Sequence, residues 1–233
     1  EKTLETIRRK TDIEEIRQIT ETINSWHNIH QHLDLIVGLP WEDLKRFKQS
    51  FNDVYSMEPE QLQLGFLKIL KGSYMEELIL ECDLLYSAAP PYEVLQTKWL
   101  SYGDVLELKN IEEMTEVHYN SRQFTCTLKE LEKEFNTPYE MFSFMAGYYN
   151  RNHLFGISHS RIARYEILWK IIQEKLGKNG KYETQGELEN GAVSEISEKL
   201  EKYRDLLMTD LYLRENVKSR PTFARDLSGS KDF

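Results

Sequence analysis

Short helical repeats alternate with β-like runs in the first third of the chain. Leu4 and Ile7 are spaced as on the last turns of a helix over residues 1–10. Thr11 followed by Glu14 has the form of a capping box. It opens a second helix whose apolar face carries Ile13, Ile16, Ile19, Thr20 and Ile23. The run from His30 to Val37 is rich in aliphatic residues and closes on Gly38-Leu39-Pro40, which predicts a strand. Residues 42–57 are amphipathic, with Leu44, Phe47, Phe51, Val54 and Tyr55 on one side. Gln61 to Leu67 then alternates as a second strand. The order α-β-α-β with short connections predicts neighbouring parallel strands over 29–37 and 61–67, joined by a crossover helix.

The character changes after Ser73. Tyr74 to Leu85 reads as a helix, broken by Ala88-Ala89-Pro90-Pro91. Residues 101–176 keep a helical period, with turns near Asn136-Thr137-Pro138 and over 150–158. Residues 177–191 hold four glycines and many charges without periodicity, the pattern of a mobile loop. A last helix over 192–213 places Ile196, Leu200, Tyr203, Leu207 and Leu211 in register. The expected fold class is α/β plus α: the last strands of a partial (β/α) barrel over residues 1–85, then a mostly helical domain over 86–233. Two strands cannot close a barrel of about 250 residues, and the chain starts at Glu1 inside a helical pattern. Both points lead to the expectation of a piece of a longer protein.

Composition narrows the function classes. The chain has 233 residues, with 30 Lys and Arg against 39 Asp and Glu, a formal net charge of −9. That balance lacks the basic face a nucleic-acid binder needs. No apolar run approaches the ~18 residues of a membrane span, and no signal peptide is visible. Two cysteines, Cys82 and Cys126, suit a reducing cytoplasm and read as ordinary buried thiols.

Candidate chemistry concentrates on the first strand. Alternation puts His30, His32, Asp34 and Ile36 on one face, and Gln31, Leu33, Leu35 and Val37 on the other. In a barrel the first face looks into the lumen, where the end near Gly38 is the productive one. His30-Gln31-His32 has the form of a metal-binding His-x-His pair. His30, however, lies roughly 26 Å of extended chain before Gly38, toward the wrong end. Polar residues at a strand entrance are the blander reading. Asp34 sits near the productive rim, and its carboxylate needs either a structural ion pair or a ligand's hydroxyl or ammonium group. The stretch Pro138 to Tyr149 is apolar nearly all round a helix. It reads as a buried core helix, or else as a wall for a large apolar substrate or a subunit interface.

Asp34-Leu35-Ile36-Val37-Gly38-Leu39-Pro40 resembles the Asp-Leu-Ile-x-Gly-Leu-Pro strand of radical S-adenosylmethionine (SAM) enzymes of the anaerobic coproporphyrinogen-oxidase type. Leu67 to Met75 is similar to the exit of their next strand, and Ile7-Arg8-Arg9-Lys10-Thr11 to the helix end before it. With Pro90 to Leu95, Lys98 to Tyr102 and Arg220-Pro221, the chain resembles one group of these proteins along nearly its whole length. That group joins an N-terminal cobalamin-binding domain, a radical SAM barrel and a C-terminal helical domain of unassigned function. Its members are described as iron–sulfur oxidoreductases, or as relatives of the anaerobic Mg-protoporphyrin IX monomethyl ester cyclase.

The resemblance implies that Asp34 and Arg9 contact SAM, that Ile36 packs on its adenine, and that the backbone near Gly38 completes that wall. It implies a [4Fe–4S] cluster, SAM and, in some members, cobalamin as cofactors. The reaction would be reductive SAM cleavage followed by hydrogen abstraction from an unidentified small-molecule substrate. The cluster's Cys-x₃-Cys-x₂-Cys loop and the cobalamin signature Asp-x-His-x-x-Gly are both missing here. The expectation is therefore a chain that holds part of a SAM pocket, relies on an N-terminal part of the same protein, and is inactive alone. Two rivals remain: a non-enzymatic helical docking module, and a metal-dependent hydrolase using His30 and His32.

Overall fold

Two parallel strands organise the first part of the molecule. The computed structural model describes residues 2–179, 190–216 and 220–224, which divide into two compact units. One holds Glu1–Asn120 with Thr137–Ala146, the other Ser121–Asn136 with Gly147–Phe233.

In the first unit, a short α1 (Lys2–Thr6) precedes α2 (Ile13–Trp26). The helix cap is Asp12 rather than Thr11: its carboxylate accepts the backbone N–H groups of Glu14 and Glu15 at 2.9 and 3.4 Å. A short acidic side chain at this position meets two unpaired amides at once and favours the positive helix end. Much of the expected apolar face stays uncovered, since Ile13 and Ile19 are half exposed and only Thr20 is buried. Polar fasteners hold the helix instead. The Gln31 amide donates to Thr20 O and Asn24 Oδ1, and the Asn24 amide to Met57 O.

Strand β1 (His32–Val37) pairs in parallel with β2 (Gln61–Phe66), in register from His32↔Gln61 to Val37↔Phe66. The connecting helix α3 (Leu44–Tyr55) is capped by Asp43 and buries Phe47, Phe51, Val54 and Tyr55. The expected strand–helix–strand order is thus present, with β1 two residues shorter at its start than the hydrophobic run. On the outer side of β2, the Asn120 side chain both accepts from Leu62 N and donates to Leu62 O, each at 3.0 Å. No described strand lies on the other side of β1.

The helix expected over 74–85 is confined to α4 (Tyr74–Glu77). Residues 78–84 turn instead, because Leu78, Cys82 and Leu84 fold inward onto Leu67, Ile69 and Val94. Asp83, at φ 48°, takes a left-handed conformation that a continuing helix does not allow. The chain then forms an antiparallel pair, β3 (Leu85–Tyr86) with β4 (Val94–Gln96), and the Pro90-Pro91 stretch lies in its connection. Helix α5 (Tyr102–Met114) begins at a reciprocal Ser101–Asp104 capping box and buries Val105, Leu108, Ile111 and Met114. It continues into a π-helical turn, Thr115–Asn120.

The second unit is helical: α6 (Thr125–Leu131), the end of α7 (Pro138–Arg151), α8 (Arg161–Asn179) and α9 (Asn190–Arg214). Its core includes Leu128, Tyr165, Leu168, Ile172, Tyr203, Leu207 and Leu211. The expected loop over 177–191 lies mostly outside the described residues, and its described ends are helical. The stretch 138–149 is a core helix, with Tyr139, Met141, Phe142, Met145 and Tyr149 buried. In the first unit Tyr139 and Phe142 meet the Phe51 ring edge-to-face. Helix α5 belongs to the first unit, where its Lys109 pairs with Glu93 beside β4.

Candidate functional site

A cleft of about 740 Å³ opens along the exposed face of the β1–β2 pair. Alternation along β1 turns Asp34 and Ile36 into it, beside Gln63 and Gly65 of β2, their register partners. Gly65 leaves room for its neighbour, since a Cβ there would stand 3.3 Å from Ile36 Cδ1. Arg9 reaches the same cleft from the segment after α1. That segment is fixed by Arg8, whose guanidinium lies 3.8 Å from the centre of the Tyr74 ring. The structure therefore brings together Arg9, Asp34 and Ile36, three of the four residues the sequence singled out.

Asp34 is exposed. It makes no hydrogen bond or ion pair with any described residue, so the structural ion pair weighed for it is not formed among them. Arg9 is likewise exposed, with no side-chain partner among the described residues. Gly38 is buried behind the cleft rather than lining it. Its φ is 93°, and a Cβ there would meet Val94 Cγ1 at 2.6 Å, so glycine is required by backbone conformation and packing.

The opposite side of the cleft was not legible in the sequence. There Lys109 donates to Glu93 Oε2 at 2.9 Å while its ammonium lies 4.0 Å from the centre of the Phe66 ring. Glu112, one helical turn further along α5, also lines the cleft. Partial burial raises its carboxyl above the ordinary range; Lys109 opposes the shift, and Glu93, Glu116 and Glu113 add to it. Glu and Lys three apart on a helix carry no local mark of function, and only tertiary packing turns this face toward the strands.

The other candidates lie elsewhere. His30 and His32 meet edge-to-face with ring centres 4.7 Å apart, and both are exposed. No cluster of three or more metal-binding side chains occurs among the described residues. Cys82 is buried in the apolar cluster beside Leu78 and Leu84, and Cys126 is half-buried. Both thiols are pushed up, chiefly by burial. No described helix is long and apolar enough to cross a membrane.

Residues 81–232 match the model of a family described as DUF4080, a protein of unknown function. The match covers well over half of the chain. No curated protein shows significant similarity to the chain.

Proposed function

We propose that this chain, which belongs to the DUF4080 family, is part of a radical SAM protein whose cofactor SAM binds at the β1 end of the cleft. The observation that carries this reading is the convergence of Arg9, Asp34 and Ile36 on one cleft. A guanidinium suits the SAM carboxylate, a carboxylate suits its ammonium or ribose hydroxyls, and an aliphatic side chain suits the flat adenine. The two charged residues make no polar contact with described side chains, so binding breaks no existing pair. The side of β1 that carries no described strand is where further strands of a barrel would add.

The thiols do not fit the cluster that this chemistry needs. Cys82 and Cys126 stand in different units, and three clustered thiolates are required. In this reading the cluster would be held by another part of the protein, and the electron for SAM cleavage would come from there. The residues of this chain bind and orient. Asp34 and Arg9 hold the amino-acid and ribose portions, and Ile36 offers the base an apolar surface. Cobalamin is an expectation of the resemblance alone.

The test is SAM affinity of the intact protein with Asp34→Ala. Affinity should fall by about 1–3 kcal/mol, the scale of a hydrogen bond to a charged group, with the unfolding temperature unchanged. Normal affinity in a destabilised variant would overturn the assignment. Iron analysis of the intact protein separates this reading from a docking module without chemistry. Zinc analysis tests the hydrolase reading of His30 and His32.

A further inference from the structure

Helix α1 ends in a turn that sends two successive arginines to different places. Arg8 N–H donates to Glu5 O at 3.1 Å and Arg9 N–H to Leu4 O at 2.9 Å, with Arg8 at φ 57°. These are the two hydrogen bonds of a Schellman turn, whose left-handed position favours glycine. Arginine there carries a backbone penalty, and an exposed contact between a guanidinium and a ring does little more than offset it. Net stability is therefore a poor reason for Arg8, and position is a better one. No residue of α1 is buried, so this segment depends on side-chain ties. At its start the Lys2 ammonium lies 5.0 Å from the centre of the Trp41 ring, and at its end the exposed Arg8 covers the Tyr74 ring. Tyr74 lines the cleft from beyond β2, and Arg9 lines it from the segment after α1. The Arg8–Tyr74 contact thus ties together two walls of the cleft that are far apart in sequence.

We propose that Arg8 is a positioning residue for the cofactor site: stacked on Tyr74, it holds Arg9 where the Arg9 guanidinium meets the carboxylate of SAM. The identity of the ligand rests on the SAM reading, whereas the hold on Arg9 does not. Arg8 touches no ligand and acts through its neighbour alone. Such a contact can bias the placement of Arg9 by no more than its own free energy. Its loss should therefore change what Arg9 does by about twofold to fivefold, the range of an exposed cation–π contact.

The test is made on the intact protein with two probes, S-adenosylhomocysteine and 5′-methylthioadenosine, the second of which lacks the amino-acid portion. Glycine suits the left-handed turn, so Arg8→Gly should not lower the unfolding temperature. It should nevertheless weaken S-adenosylhomocysteine by the factor above in calorimetric titration and leave 5′-methylthioadenosine unchanged. Arg9→Ala is the reference and should weaken the same probe at least as much. A separate arm needs no ligand: Tyr74→Leu should speed backbone hydrogen exchange over residues 7–11 by a similar factor, and Tyr74→Phe, which keeps the ring, should not. Unchanged S-adenosylhomocysteine affinity in Arg8→Gly beside a weakened Arg9→Ala would overturn the proposal. Equal loss of both probes, or exchange unaltered by Tyr74→Leu, would overturn it as well. The exchange arm decides the matter even if Arg8→Gly does not fold. A wild type that binds neither probe would defeat the SAM reading, and the exchange arm would still show whether Tyr74 holds the Arg9 segment.

Discussion

The helical unit and the cleft of the strand-bearing unit treat charge in opposite ways. In the helical unit, Asp210 is fully buried, and every sign of it is structural. It accepts the backbone N–H groups of Cys126 and Thr127 at 2.9 and 2.8 Å and the Thr127 hydroxyl at 2.7 Å, closing the start of α6. Arg161 Nε forks onto both oxygens of Glu215 at 2.7 and 2.9 Å, and buried Gln123 donates to the same carboxylate. In the cleft, by contrast, Arg9, Asp34, Lys68 and Glu112 find no hydrogen-bond or ion-pair partner among the described residues. Charges that are fully partnered hold an architecture. Charges aimed into a cleft without partners are available to a ligand.

The largest break in this contrast is expected at Asp210. Replacement by Ala strips acceptors from buried donors and should cost roughly 3 kcal/mol or more of unfolding free energy, measured by denaturant titration. Near-normal stability would mean that the buried network is not what holds α6. An intermediate case sits in the strand-bearing unit at Glu42, which precedes α3. Burial raises its carboxyl to about 7, although the Ser50 hydroxyl donates to it. The folded state therefore keeps a proton between the unfolded pKa of 4.5 and about 7, and stability should fall as pH rises through that window. The fall should amount to about 1–3 kcal/mol. Glu42→Gln should abolish the slope, and an unchanged slope would assign it to another group. The smallest effect is expected in the cleft. Asp34→Ala and Lys68→Ala should each leave unfolding free energy within about 0.5 kcal/mol of wild type, since no described contact is lost.

Local signals carried the strand-bearing unit as far as Ser73. The alternation in His32–Val37, its closing glycine and the amphipathic stretch after it all agree with the parallel pair observed. The reading failed where distant contacts decide. Tyr74 to Leu85 has helical spacing, but Leu84 and Cys82 are drawn to Leu67 and Val94, and Leu85 pairs with Gln96. Nothing within residues 74–85 announces those partners. At the helix start, Thr11 and Asp12 were both competent caps, and the geometry chose the carboxylate. The same division runs through the cleft. Asp34 and Ile36 were visible because a strand's period fixes their face. Lys109 and Glu112 were not, because the side of α5 that meets the cleft depends on how that helix packs.

The Asn120 amide has a consequence beyond the fold. A primary amide offers the same donor and acceptor as a peptide unit, and here it occupies both the N–H and the C=O of Leu62. To an approaching chain, the outer rim of β2 is already taken at that residue. An unprotected rim recruits strands from other molecules and seeds aggregates. A single side chain at the end of a π-helical turn thus plays the part of a missing neighbour strand, and its loss would be felt first as stickiness between molecules rather than as unfolding of one.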